Sequence, residues 1–205
     1  GHLCAEQINI WTTLLRDPQI SKKQWMMPFL PRVLVAYIDH MVRIRWADIY
    51  EGAHKFSAIV EESWDGQDEY ESWLCNIRSK GSLLLRLIAK TDPEQAASIL
   101  NTRVQNVLTN HGNGQPGDNL NPQTKGLTQL SYANIQFEGL QQPLDNILNG
   151  LPAWSLQAET GSNNGYPVDL KRAKIRTSVR SSLSQLANSL ISWIPTDAWL
   201  RHRRA

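Results

Sequence analysis

Large apolar side chains recur every three or four positions along most of the chain, which is the spacing of an amphipathic α-helix. The clearest stretch spans residues 68–110, where two such patterns flank a turn. Asp92 suits the N-cap of the second helix and Pro93 its first position. The run LLLRLI before the turn predicts a helix that is buried on more than one side. A hairpin of about 40 residues cannot bury two such faces alone, so it requires similar hairpins beside it.

The rest of the chain repeats this pattern. We predict helices near residues 1–17, 21–44, 127–151 and 170–194, with a break in the second where Pro28 and Pro31 remove backbone donors. Polar, Gly- and Asn-rich loops are expected at 110–126 and 152–169, and a further helix opens after Pro195. The prediction is an all-α fold with six main helices and essentially no sheet. It forms one segment, 1–205, of stacked antiparallel hairpins at about 1–44, 68–109 and 127–192, as a fragment of a longer α-α superhelix.

Charge is distributed unevenly, although the net charge is only +2. Residues 51–75 hold seven acids against one base, while residues 169–205 hold eight bases against two acids. The stretch 45–67 reads as an acidic connection, and it is either a solvated loop or a surface for a basic partner. No apolar run approaches 18 residues, so no membrane insertion is expected.

Cysteine and tryptophan positions favour packing over chemistry. Cys4 and Cys75 fall on apolar helix faces without CxxC spacing, and we predict that both are buried free thiols. Aromatic rings beside cations could stack on nucleic-acid bases. The tryptophans that share helix faces with aliphatic residues are nevertheless expected in the core. These are Trp11, Trp25, Trp73 and Trp193.

Motifs of catalysis are missing from the sequence. The five histidines do not form HxxxH or HExxH spacings, and neither GxxxxGK[ST] nor GxSxG occurs. We therefore predict a protein that is not an enzyme, with no catalytic residues, no metal ligands and no cofactor.

A basic segment near residue 171 is the candidate binding site. At 100° per residue, Arg172, Arg176 and Arg180 form a stripe that flanks the apolar stripe of the same helix. The segment could contact phosphates, act as a short nuclear-targeting patch, or be a solvated face. The candidate residues that would face RNA or other cargo are Lys171, Arg172, Lys174, Arg176 and Arg180.

The succession of elements resembles the middle of the exportin-5 (Hasty-type) nuclear export receptors, which belong to the importin-β superfamily and are built from HEAT repeats. The resemblance runs over nearly the whole chain. It rests on the stretches LLRDPQI, MMPFLPRVLVAYIDHMV, ESWDGQDEYESWL, LLLRLIAKTDPEQAASIL, YANIQFEGLQQPLDNIL and LISWIPTDAWLRHRRA.

The resemblance implies a HEAT-like solenoid that shuttles between nucleus and cytoplasm. Its partners would be small structured RNA or protein cargo, nuclear pore proteins, and the GTPase Ran in its GTP form, bound through the receptor's N-terminal repeats outside this stretch. The alternative is a helical-repeat scaffold or adaptor for protein complexes that are unrelated to transport.

Overall fold

The chain is helical in the computed structural model, which describes residues 2–46, 48, 62–111, 121, 123, 127–128, 131–156 and 170–193. Within these ranges there are seven helices and no β-strand, so the all-α prediction is confirmed. Six helices have eleven residues or more, and one has four. Their bounds are α1 His2–Arg16, α2 Leu30–His40, α3 Gln67–Thr91, α4 Pro93–His111, α5 Tyr132–Gly150, α6 Ala153–Leu156 and α7 Leu170–Ser192.

The long helices form two layers. In the first layer α1 packs on α3 and α3 packs on α5, and in the second α2 packs on α4 and α4 packs on α7. The layers meet where α4 contacts α3 and α5. Each of these helices therefore packs on the next helix of its own layer, which is the arrangement of an α-α superhelix.

The centre of the core lies on α3 and α4. Leu84, Leu85 and Ile88 are at most 1% exposed, as the LLLRLI run predicts. They pack in one cluster with Ala96 and Leu100 of α4. Contacts with α1, α4 and α5 surround α3, which explains why its apolar residues extend beyond a single stripe.

The turn between α3 and α4 has the predicted N-cap and first-turn residues. Pro93 is the first residue of α4, and the Gln95 backbone N–H donates to Asp92 Oδ1 at 3.4 Å. Burial raises the pKa of the Asp92 carboxyl above its ordinary value, and the Gln95 donor opposes that rise. This capping contact holds the two helices at the centre of the core in a tight hairpin.

The second predicted helix differs from the observed one. Residues 18–29 run mainly in turns, and α2 begins only at Leu30, with Pro31 in its first turn. Proline cannot donate in a helix interior but is tolerated in the first turn, so the regular helix starts beside Pro31. The apolar pattern of residues 21–44 also predicts Trp25 and Phe29 on the inward side of that helix. This placement is wrong, since these side chains are 57% and 45% exposed.

The prediction of two buried thiols is also wrong. Both cysteines are free, but Cys75 is exposed and Cys4 is half-buried. On α3 the buried stripe runs through Leu74 and Ile77, and Cys75 lies about 100° around the helix from Leu74. Burial still raises the pKa of the Cys4 thiol.

Helices α5 and α7 are shorter than the apolar patterns that predict them. Ser131 caps α5, because its hydroxyl oxygen accepts from the Asn134 backbone N–H at 3.3 Å, and the helix continues through the buried Pro143. Within the predicted polar loop at 152–169 the structure contains α6. Most of the acidic connection at 45–67 and the helix expected after Pro195 lie outside the described residues.

Candidate nucleic-acid interface

Helix α7 carries the densest group of basic residues in the described part of the chain. Its 23 residues include five bases and no acid. Val179 and Leu186 are buried, and Ile175, Leu183 and Leu190 pack against the core from its edge. The apolar spacing therefore fixes α7 on α4 and leaves the basic residues around the outer part of the helix.

The structure brings the five predicted candidate residues onto one helix, but not into equal environments. Lys171, Arg172, Lys174 and Arg180 are exposed, whereas Arg176 is half-buried. The Nε atom of Arg176 is buried and has no hydrogen-bond partner among the described residues. Arg176 therefore lies at the edge between the core and the basic face, as a stripe flanking the apolar residues requires.

Cations on α7 differ in their partners from four of the arginines elsewhere in the described chain. Within the described ranges, no carboxylate forms an ion pair with Lys171, Lys174, Arg176 or Arg180. Four other arginines are each bound to an acid: Arg43, Arg45, Arg78 and Arg103. The charge of these four α7 residues is thus not neutralised by their described neighbours and remains available to an anionic partner.

An aromatic ring adjoins this basic surface. The guanidinium carbon of Arg172 lies 5.6 Å from the centroid of the Trp154 ring, within the range of a cation–π contact. Trp154 belongs to α6, which packs on α7, and the buried Ser155 hydroxyl holds the start of α6 by donating to the Pro152 carbonyl at 2.7 Å. The sequence placed Trp154 in a polar loop. The sequence feature that marks α6 is a tryptophan directly after Pro-Ala. The segment lacks the apolar periodicity that marks a longer helix.

A second charged cluster joins three helices and has a structural role. Arg78 of α3 donates to the Met41 carbonyl after α2 at 2.6 Å and pairs with Glu138 of α5 at 2.6 Å. Arg43 lies 3.5 Å from Glu138 and 3.7 Å from Glu71. Because these cations are already paired, the cluster fixes the orientation of α2, α3 and α5 and offers no free charge to a ligand.

A pocket of about 380 Å³ opens between α1 and α2, with Leu84 of α3 in its wall. Burial raises the pKa of the Tyr37 hydroxyl in this pocket to about 12. That hydroxyl donates to the Ile77 carbonyl at 3.1 Å. The other lining residues are Cys4, Gln7, Ile8, Trp11, Arg32, Val33, Ala36 and His40.

The described residues contain no candidate metal centre. No group of three or more His, Cys, Asp or Glu side chains among them is placed to hold a metal ion. Nor is any described helix both long and apolar enough to cross a membrane. What the described surface presents is charge and shape, which suit binding.

The fold and this surface define a class: an all-α helical-repeat protein with a basic helix at one end of its described stack. The family model of the exportin-5 family matches residues 2–193. The chain therefore belongs to the Exportin-5 family, a family of nuclear export receptors, as its sequence pattern indicates. No significant match was found among curated proteins or among solved structures.

Proposed function

We propose that this chain is part of a nuclear transport receptor that carries RNA, protein or both from the nucleus to the cytoplasm together with Ran in its GTP form. In this proposal the three hairpins at about 1–44, 68–109 and 127–192 form one segment of a longer solenoid. The segment acts as a binding scaffold without chemistry. Membership of the Exportin-5 family supports the transport role.

The observation that carries the RNA part of the proposal is the basic charge of α7, since four of its five bases form no ion pair with a described carboxylate. Five bases lie on 23 residues without an acid, and four of them are exposed. From Lys171 to Arg180 the helix rises about 14 Å, so its cations are spread over the length of several phosphates of a nucleic-acid strand. Trp154 beside Arg172 adds a flat aromatic surface at the same place.

The remaining partners follow from the family. Ran in its GTP form would bind through the receptor's N-terminal repeats, and nuclear pore proteins would contact the solenoid during passage. The receptor would then shuttle between nucleus and cytoplasm. These contacts are proposed for the whole receptor, and no residue of this chain is assigned to them.

A test of RNA binding compares two variants of equal charge change. Lys171→Gln/Lys174→Gln/Arg180→Gln removes three exposed cations from α7 and keeps the apolar stems. The matched control, Lys22→Gln/Lys23→Gln/Arg32→Gln, removes three exposed cations near α2. With a small hairpin RNA as probe, the first variant should reduce the slope of log K against log salt by about 2 to 3, and the control should leave it unchanged. Equal slopes in wild type and both variants would identify the basic face as solvated surface only.

An alternative function is a helical-repeat scaffold or adaptor for protein complexes outside transport. The observation that favours it is the apolar surface near α2. The pocket opens between α1 and α2, and the exposed side chains of Trp25 and Phe29 lie just before α2 in the sequence. Pull-down of the full-length receptor with Ran separates the two functions. Retention of Ran with GTP but not GDP is expected for the transport receptor, whereas binding that ignores the nucleotide supports the adaptor.

A further inference from the structure

An exposed hydroxyl lies inside the basic face of α7. Thr177 is exposed, and Lys174 and Arg180 lie three positions before and after it. Residues three apart are neighbours on a helix surface, and both of these cations are exposed as well. Any negative charge added at Thr177 would therefore form within reach of two cations that have no described acid partner.

The residues before Thr177 carry a regular pattern of charge. Arg172, Lys174 and Arg176 precede it by five, three and one positions, and α7 contains no acid. In an extended peptide, positions two apart point to the same side. When this segment is extended, the three cations line one side of the peptide and fit a protein kinase whose substrate groove is lined by carboxylates.

The same segment of α7 is held only by partly buried and exposed side chains. The first buried side chain of the helix is Val179, so residues 170–178 contain no fully buried residue. By contrast, α3 has its first buried side chain, Tyr70, at its fourth residue. The Thr177 hydroxyl donates only to the Ala173 carbonyl, at 3.1 Å, in an exposed position. Opening the first turns of α7 therefore exposes little apolar surface and gives a kinase access to Thr177.

We propose that Thr177 is a phosphorylation site for a protein kinase that selects basic residues, and that the phosphate weakens anion binding by α7. The Thr177 oxygen attacks the γ-phosphorus of ATP, the bond from that phosphorus to the bridging oxygen breaks, ADP leaves, and the hydroxyl proton passes to the kinase or solvent. A phosphate adds a charge of about −1.5 to −2 at neutral pH, which lowers the charge of α7 from +5 to about +3. Lys174 and Arg180 would then pair with it.

The modification is tested on the whole chain with ATP and the catalytic subunit of cyclic-AMP-dependent protein kinase, and mass spectrometry locates the phosphate. Phosphate on Thr177 is expected, and Thr177→Val should abolish that site while keeping the size of the side chain. Phosphate elsewhere with Thr177 unmodified, or no phosphate at all, would overturn the proposal. This first result is independent of the proposed function.

The regulatory part rests on the proposed function and is measured with the hairpin RNA. Phosphorylation at Thr177 should weaken binding roughly tenfold at physiological salt, since about two cations are neutralised, and Thr177→Glu should weaken it severalfold. Thr13→Glu is the matched control, because Thr13 of α1 is also exposed and also donates to the carbonyl four residues before it, at 2.8 Å.

The two proposals fail in different ways. If the Lys171/Lys174/Arg180 variant loses RNA affinity while phosphorylated Thr177 and Thr177→Glu do not, the switch is refuted and RNA binding stands. If that variant keeps full affinity, RNA binding by this face is refuted, and the phosphate on Thr177 is judged by mass spectrometry alone.

Discussion

At the scale of single residues, the closest fit in the core is between Tyr37 and Gly81. The Tyr37 side chain is buried, and its hydroxyl donates to the Ile77 carbonyl one turn before Gly81 on α3. A Cβ at position 81 would overlap the Tyr37 ring and hydroxyl. The glycine is therefore required because an aromatic side chain crosses the helix there, and not because its backbone is unusual.

Gly81→Ala should destabilise the protein by about 2 kcal/mol in urea unfolding, because the buried ring has no room to move aside and the overlap exceeds the gain in helix propensity. Gly66→Ala is the control. Nothing lies within 4 Å of a Cβ at position 66, and its extended backbone accepts alanine. A change within about 0.5 kcal/mol is expected there. Equal effects at the two positions would contradict the close fit.

The buried Tyr37 hydroxyl also predicts a dependence of stability on alkaline pH. Burial raises its pKa from 10.0 to about 12, so between these values the folded protein holds a proton that the unfolded chain has lost. This bound proton contributes on the order of 2 to 3 kcal/mol to the free energy of unfolding. The contribution is fully present below pH 10 and is lost as pH rises toward 12. Tyr37→Phe should unfold with a flatter pH dependence over this window. A profile as steep as that of the wild type would show that Tyr37 is not the titrating group.

At the scale of elements, the two contacts of Arg78 connect three helices. The guanidinium bridges the Met41 carbonyl at the end of α2 and the Glu138 carboxylate on α5. Next to it on the α3–α5 interface, Gln142 donates to Ser82 Oγ at 2.9 Å, and Arg86 Nε donates to Asn146 Oδ1 at 2.8 Å. Directional contacts of this kind set the register of α3 on α5, which apolar packing alone specifies weakly.

Arg78→Met should cost about 2 kcal/mol, because it leaves the Met41 carbonyl and Glu138 without their main donor in a partly buried site. The control is Arg103→Met. Arg103 pairs with Asp39, but the side chains of that pair are 32% and 48% exposed, and a loss below about 1 kcal/mol is expected. Chemical denaturation of both variants measures the difference. Equal losses would mean that the three-helix junction adds nothing beyond a surface ion pair.

At the scale of the whole molecule, stability is distributed unevenly along the stack. Helix α3 has eight buried residues and contacts α1, α4 and α5, whereas α7 has two buried residues. The end of α7 is held by a second contact, because Trp193 stacks on Phe137 of α5 with ring centroids 4.9 Å apart. The first turns of α7 are held only by partly buried or exposed side chains, those of Ile175 against the core and Arg172 over Trp154.

Hydrogen exchange followed by mass spectrometry should therefore show the slowest exchange in the second half of α3 and in α4, and fast exchange at residues 170–178. Within α7, protection should rise after Val179, where the first buried side chain occurs. Uniform protection along α7 would contradict this gradient, and would also remove the physical basis for kinase access to Thr177.

The sequence by itself determined the features that depend on near neighbours. Helical periodicity predicts the all-α fold, Asp92-Pro93 predicts the central turn, and the bases around Arg176 predict a charged face beside an apolar stripe. Each of these follows from residues within one or two helical turns, where spacing translates directly into geometry. The family could be recognised for the same reason, as a succession of such patterns.

Only the tertiary structure decided which faces are covered and which charges are paired. Trp25 and Cys75 lie on apolar patterns but remain exposed, because no described helix packs over them. Arg78 meets Glu138 across 60 positions of sequence, while four of the five cations of α7 pair with no described acid. Burial and ion pairing depend on how distant helices pack, and that packing is set by the sum of many contacts, which local spacing does not encode. The candidate interface therefore became distinct from the other basic residues only once the helices were stacked.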